Sequence, residues 1–202
     1  MNWRRFMAWL LFQAEWTNGS QRWDNSKRFQ NNRKPSMNQG ASKLEKPPDD
    51  QDHTMVLDPP ATRPERQEMV SQQLRPRGIT DPKVLEAMAT IPREFFVPPS
   101  LEREAYLDGP IPIGEGQTIS QPYMVAIMAQ LLQAKDTSTL LEIGAGSGYG
   151  AAILSRLATR VIAVERIPRL LEQARHRWHQ LGLDNIEGVV GDGTLGHPLQ
   201  AP

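Results

Sequence analysis

The stretch Leu140–Gly150, LLEIGAGSGYG, decides the reading of the fold. An apolar run ends in the acid Glu142, and Gly144, Gly146, Gly148 and Gly150 follow at every second position. An apolar strand that empties into closely spaced glycines predicts a strand-to-helix turn whose backbone can approach a ligand. The sequence around it keeps the same rhythm. TLLEI is followed by the helical pattern AAILSRLA, the strand RVIAVE, a helix from Pro168 to Leu181 and the strand IEGVVGD. In the second helix Leu170, Leu171, Ala174, Trp178 and Leu181 share one face. Strand–helix–strand–helix–strand with buried strands predicts an α/β, Rossmann-like sheet of parallel strands joined by right-handed crossovers.

Upstream, Val125, Met128, Ala129 and Leu132 are spaced for one buried face of a helix. Before it, Asp108–Pro122, DGPIPIGEGQTISQP, holds too many Gly and Pro for an ordinary helix or central strand and reads as a loop. Asp81 followed by Pro82 predicts a helix start, the acid as N-cap and the proline at the first helical position. Val84, Leu85 and Met88 form that helix's apolar face, and Met69, Val70, Gln73 and Leu74 form an earlier stripe that RPRG breaks.

Residues 1–63 read as a disordered or poorly ordered extension. From Thr17 to about Arg63 the chain is dominated by Asn, Gln, Ser, Lys, Asp and Pro, too polar to offset its ordering entropy. Phe6–Phe12 behind Arg4 and Arg5 resembles the opening of a signal peptide, but it is short and no small-residue cleavage site follows. Met55 is an alternative start. The domain proper is expected over 64–202, with a helical and loop substrate region at 64–137 and the first half of the sheet at 138–202. Lys plus Arg and Asp plus Glu both number 23, so no general attraction to nucleic acid or membrane is implied. Cysteine is absent, which excludes disulfides and thiolate metal sites and fits a reducing, cytoplasmic setting. His176 and His179 face away from the apolar stripe beside Arg175 and Arg177, so no metal site is expected.

The glycines admit two cofactor readings. In the dinucleotide pattern G-x-G-x-x-G, counting from Gly144 places Tyr149 at the third glycine, and counting from Gly146 places Ala151 there. The alternative, E-x-G-x-G-x-G over Glu142–Gly148, resembles motif I of the class I S-adenosylmethionine (AdoMet) methyltransferases. Glu165 ends the second strand about 20 residues beyond the first loop glycine, where an acid accepts hydrogen bonds from ribose hydroxyls. Asp192 and Gly193, in GDG after the third strand, stand where the resemblance implies contact with adenine.

Within that class the sequence is similar to the protein-L-isoaspartate (D-aspartate) O-methyltransferase family from about Met69 onward. The resemblance rests on QLRPRGITD, IPREFFVP, AYLDGPIPIGEGQTISQPYMVA, LLEIGAGSGYGAAIL, VIAVER and GDGTLG, and most specifically on GQTISQPYM. It implies transfer of the AdoMet methyl to the free α-carboxylate of isoaspartyl residues in damaged proteins, as part of repair. It also implies Ser120 as the active-site serine, with Thr118 a second hydroxyl in the substrate site. Glu142, Gly144, Gly146, Gly148, Glu165, Asp192 and Gly193 are the implied cofactor residues. The implied partners are isoaspartyl proteins and peptides, with no nucleic acid or membrane, and the complete protein is expected to be a monomer.

The chain departs from the family at its end and at His197, where the family often has an aromatic residue. It supplies about three of seven strands and stops at LQAP, so a fragment or truncated gene product is expected, with an unpaired apolar edge on its first strand, poor stability and weak activity. A methyltransferase for another substrate, an inactive AdoMet-binding fragment and a nicotinamide-binding domain remain alternatives.

Overall fold

The computed structural model describes residues 63–196. The expectations for the N-terminal extension, Met55, His197 and LQAP fall outside those residues. The described part opens with α1 (Arg63–Glu68), which continues as a π-helical turn, Met69–Leu74, and a 3-10 turn, Arg75–Arg77. Met69, Val70 and Leu74 are buried. Their stripe is the expected one, but the wider turn carries it where a continuous α-helix was expected. Gly78, at φ +88°, ends the segment.

Helix α2 (Pro82–Thr90) begins as its sequence predicts. The Asp81 carboxylate accepts from the N–H groups of Lys83 at 2.9 Å and Val84 at 3.3 Å. The helix buries Val84, Leu85, Ala87 and Met88. Two 3-10 turns follow, Arg93–Phe96 and Pro99–Glu104.

The segment Asp108–Pro122 is a hairpin rather than the expected loop. Strand β1 (Ile111–Gly114) pairs antiparallel with β2 (Gln117–Ile119). Its two central turn residues, Glu115 and Gly116, both have positive φ, +52° and +68°. That is the backbone a tight hairpin turn requires, matched to strand twist. The signal was present in the glycines, but the strands are short and anchored chiefly by buried Ile111 and Ile119. Helix α3 (Pro122–Leu132) then buries Val125, Met128 and Ala129. Gln130 fastens it to the start of α2: its amide oxygen accepts from Thr80 N–H at 2.7 Å and Asp81 N–H at 2.9 Å, and its NH2 donates to Gly78 O at 3.1 Å.

The sheet is β3 (Thr139–Ile143), β4 (Arg160–Glu165) and β5 (Ile186–Val190), parallel and in the order β3-β4-β5. Helices α4 (Tyr149–Ser155) and α5 (Pro168–Gln180) make the two crossovers. Leu140, Val161 and Ile186 align across the strands and join the core under both helices. Gly188 on that face lets α5 settle close, since an added Cβ would meet Leu171, Arg175 and Trp178. Leu141, Ile143, Ile162 and Val164 alternate to the other face and lie outside that core cluster. Among the described residues β3 pairs only with β4, so the expected edge is present, with Leu140, Leu141 and Ile143 half-buried.

Replacing Asp81 by Ala removes the cap of α2 without touching the sheet. A loss of about 1 kcal/mol is expected, read as a lower midpoint in urea unfolding with an unchanged slope.

Candidate active site

The loop after β3 begins on β4, where Val164 O accepts from the N–H groups of Gly144 at 2.8 Å and Ala145 at 3.1 Å. Gly144, Gly146 and Gly148 have φ of +82°, +53° and +88°, a region that side chains disfavour. Gly148 also meets α5 closely: its carbonyl accepts from the Trp178 indole N–H at 2.9 Å, and a Cβ would lie 2.7 Å from that nitrogen. Gly150 is glycine for a different reason. A Cβ there would stand 2.2 Å from Oε1 of Glu142.

Glu142 lies beneath the loop, 3% exposed. Its carboxyl accepts from the Ala151 N–H, near the start of α4. Burial, reinforced by repulsion from Glu165, pushes its pKa well above the ordinary carboxylate range, against the effect of that hydrogen bond. Oε2 has no hydrogen-bond partner among the described residues.

Glu165, at the end of β4, closes the loop from the other side. Its Oε2 accepts from the Gly146 N–H at 2.8 Å and Oε1 from the Ile167 N–H at 2.9 Å. Each oxygen keeps a lone pair for a further donor. Asp192 caps the short turn Gly193–Leu195 by accepting from the Thr194 N–H at 3.0 Å, and this bond holds its carboxyl below the ordinary range. Gly193 packs against β3, with no room for a side chain beside Ile143.

Ser120 follows β2, and Thr118 alternates with it on either side of buried Ile119. The Ser120 carbonyl accepts from Nη2 of Arg93 at 2.7 Å. A cleft of about 580 Å³ brings Thr118 and Ser120 onto one cavity with Glu142, Gly144, Glu165 and Asp192. Gly146 also lines it; Gly148 and Gly193 do not. His176 and His179 are exposed on α5.

Two residues of this arrangement were not among the expected site residues. Gly150 carried a signal in the two-residue spacing, but its reason is the buried acid below it. Arg93 stands in the motif IPREFFVP, but no local pattern there indicates that it is buried.

The description "Protein-L-isoaspartate(D-aspartate) O-methyltransferase (PCMT)" belongs to a family model that matches residues 65–202. The chain belongs to this family. It is 55% identical over 148 residues to the protein-L-isoaspartate O-methyltransferase of Methanoculleus marisnigri, a match covering 73% of this chain and 66% of that protein. It is 54% identical over 138 residues to that of Methanoregula boonei, covering 68% and 64%. A solved protein-L-isoaspartate O-methyltransferase superposes with a TM-score of 0.57 at 31% identity, covering 68% of this chain and 45% of that one. The described fold, with its three-stranded parallel sheet, matches the class I methyltransferase fold of that family. The matches span just under two thirds of the length of these curated relatives.

The acid beneath the loop generates two expectations. Gly150→Ala forces Glu142 to move and should cost about 1–3 kcal/mol of stability, measurable by urea unfolding. Because the folded-state pKa of Glu142 is raised, its contribution to stability is full below its ordinary value of 4.5 and is lost as pH rises through the raised value. The difference in unfolding free energy between the wild type and Glu142→Gln should therefore fall as pH rises above 4.5. The slope should reach at most about 1.4 kcal/mol per pH unit. A pH-independent difference would show that Glu142 is ionised in the folded chain.

Proposed function

We propose that this chain carries the cofactor half and the catalytic serine of an enzyme that methylates the free α-carboxylate of isoaspartyl residues in damaged proteins, with AdoMet as donor. The observation that carries the reading is the shared cleft, in which the hydroxyl residues of the hairpin end face the glycine loop and Glu165.

The residues suit AdoMet better than a dinucleotide. A pyrophosphate needs free N–H groups at the helix start, but the Ala151 N–H is already bonded to a carboxyl from within the protein. AdoMet carries no phosphate. Glu165 and Asp192 offer acceptors for ribose hydroxyls and an adenine amino group, and the Gly144 and Gly146 backbone gives room beside the methionine portion. When bound, AdoMet supplies a methyl group already activated on a sulfonium centre.

The chain's own task is to bind and orient. A carboxylic acid with a pKa of roughly 3.5–4 is ionised at neutral pH, so no general base is needed. Ser120 donates its hydroxyl hydrogen to the substrate carboxylate and aims one oxygen at the methyl, and Thr118 assists. Val125, Met128 and Leu132 give the cleft an apolar wall, which favours loss of the carboxylate's hydration before attack. Orientation of this kind supplies up to about 7–11 kcal/mol. The partners are isoaspartyl proteins and peptides in the cytoplasm. Among the described residues no helix is long and apolar enough to cross a membrane.

Labelled AdoMet with two peptides that differ only in an isoaspartyl or normal aspartyl linkage tests this reading. Label in the isoaspartyl peptide alone is the expected result, and equal labelling of both would overturn the substrate assignment. Ser120→Ala, losing one charge-assisted hydrogen bond, should lower the rate by about 10–100-fold with AdoMet affinity kept.

A further inference from the structure

Arg93 is fully buried at the start of the turn Arg93–Phe96. Among the described residues no carboxylate lies within ion-pair distance of it; the nearby Glu94 instead pairs with Arg66 at 3.4 Å and accepts from the Tyr106 hydroxyl. Burying a guanidinium without a counter-charge is costly, and hydrogen bonds and a facing aromatic ring offset part of that cost. Arg93 donates to two backbone carbonyls, Nε to Ala105 O at 2.7 Å and Nη2 to Ser120 O at 2.7 Å, while Nη1 has no hydrogen-bond partner among the described residues. Its guanidinium carbon sits 4.9 Å from the centroid of the Tyr149 ring, against which Phe96 packs edge-on at 5.4 Å.

Those contacts add polar ties between three parts that also share the apolar core. Ser120 lies one residue past the last ladder pair of the hairpin, Ile111 with Ile119, where the strand no longer holds its carbonyl. Tyr149 is the first residue of α4, directly after Gly148 of the glycine loop. Ala105 belongs to the helical layer, its N–H bonded to Glu102 O. Arg93 therefore ties the segment bearing the Ser120 hydroxyl to the helix that follows the glycine loop, and it sets a permanent positive charge behind the carbonyl of Ser120. A structural tie alone would be met by a neutral donor. A fixed cation there also favours an anion in front of the serine.

We propose that Arg93 is a positioning residue for methyl transfer: it touches neither substrate nor cofactor, and it holds Ser120 in register with the glycine loop for an anionic substrate. This rests on the function proposed above, so its test includes a reading that needs no turnover. Hydrogen exchange of the full chain is measured for the wild type, Arg93→Met and Arg93→Lys, followed by peptide methylation and AdoMet titration.

In Arg93→Met the amides of 117–121 should exchange at least about tenfold faster while those of β3–β5 keep their rates. At saturating AdoMet, kcat on the isoaspartyl peptide should fall by about 10–100-fold, with the AdoMet Kd changed by less than about twofold. Lysine keeps the charge but cannot reach both carbonyls, so Arg93→Lys should recover part of both losses. If Arg93→Met does not fold, the same loop-confined exchange and partial kcat loss are expected in Arg93→Lys. Unchanged exchange at 117–121, equal acceleration throughout the sheet, or a wild-type kcat in Arg93→Met would overturn the proposal. A wild type that methylates no isoaspartyl peptide would sink the proposed function instead, and exchange at 117–121 would still decide the role of Arg93.

Discussion

The turn from β3 into α4 depends on a carboxyl group that water does not reach. Glu142 projects from the strand under the loop, and its acceptance of the Ala151 N–H ties the end of β3 to the beginning of α4. The close approach this requires is possible only because Gly150 has no side chain. The positive φ at Gly144, Gly146 and Gly148 then lets the chain rise over the acid and descend into the helix. Glu165 holds the crest of the same loop by the Gly146 N–H. Two acids from adjacent strands thus support one loop, the one with its pKa raised by burial and by its neighbour, the other accepting from backbone N–H groups.

The rest of the sheet follows from where that loop must go. A right-handed crossover sends α4 back over the face bearing Leu140, Val161 and Ala163, and α5 joins it on the same side. Trp178 of α5 returns to the loop and bonds Gly148 O, so the second crossover steadies the first. The helical layer reaches the same region through the Arg93 and Tyr149 contact, and the hairpin end is brought to the cleft by the bond between Arg93 and Ser120. Cofactor side and substrate side share one apolar core, and a buried cation bonds across it to Ser120.

Most of the sheet was legible in the residues because short-range physics sets it. Apolar strands, glycine turns and helical stripes depend on neighbours within a few positions, and β3, α4, β4, α5 and β5 appear where those patterns place them. The cap at Asp81 is equally local. The hairpin at Asp108–Pro122 was not legible, because its pairing joins residues whose Gly and Pro content argues against strands one at a time. The π-helical turn at Met69–Leu74 likewise follows from packing rather than composition.

By itself the sequence determined the parallel sheet, the glycine loop, the acid at the end of each of the first two strands and the motifs that place the chain in its family. Each of these is written in a run of adjacent residues. Only the tertiary structure decided that Ser120, Glu165 and Asp192 share one cleft, that Glu142 is buried beneath the loop, and that Arg93 is a buried cation bonded to Ser120. Those facts depend on burial and on distances through space, as between Arg93 and Ser120, 27 positions apart in the chain. No local pattern encodes them, because desolvation and charge act through space rather than along the chain.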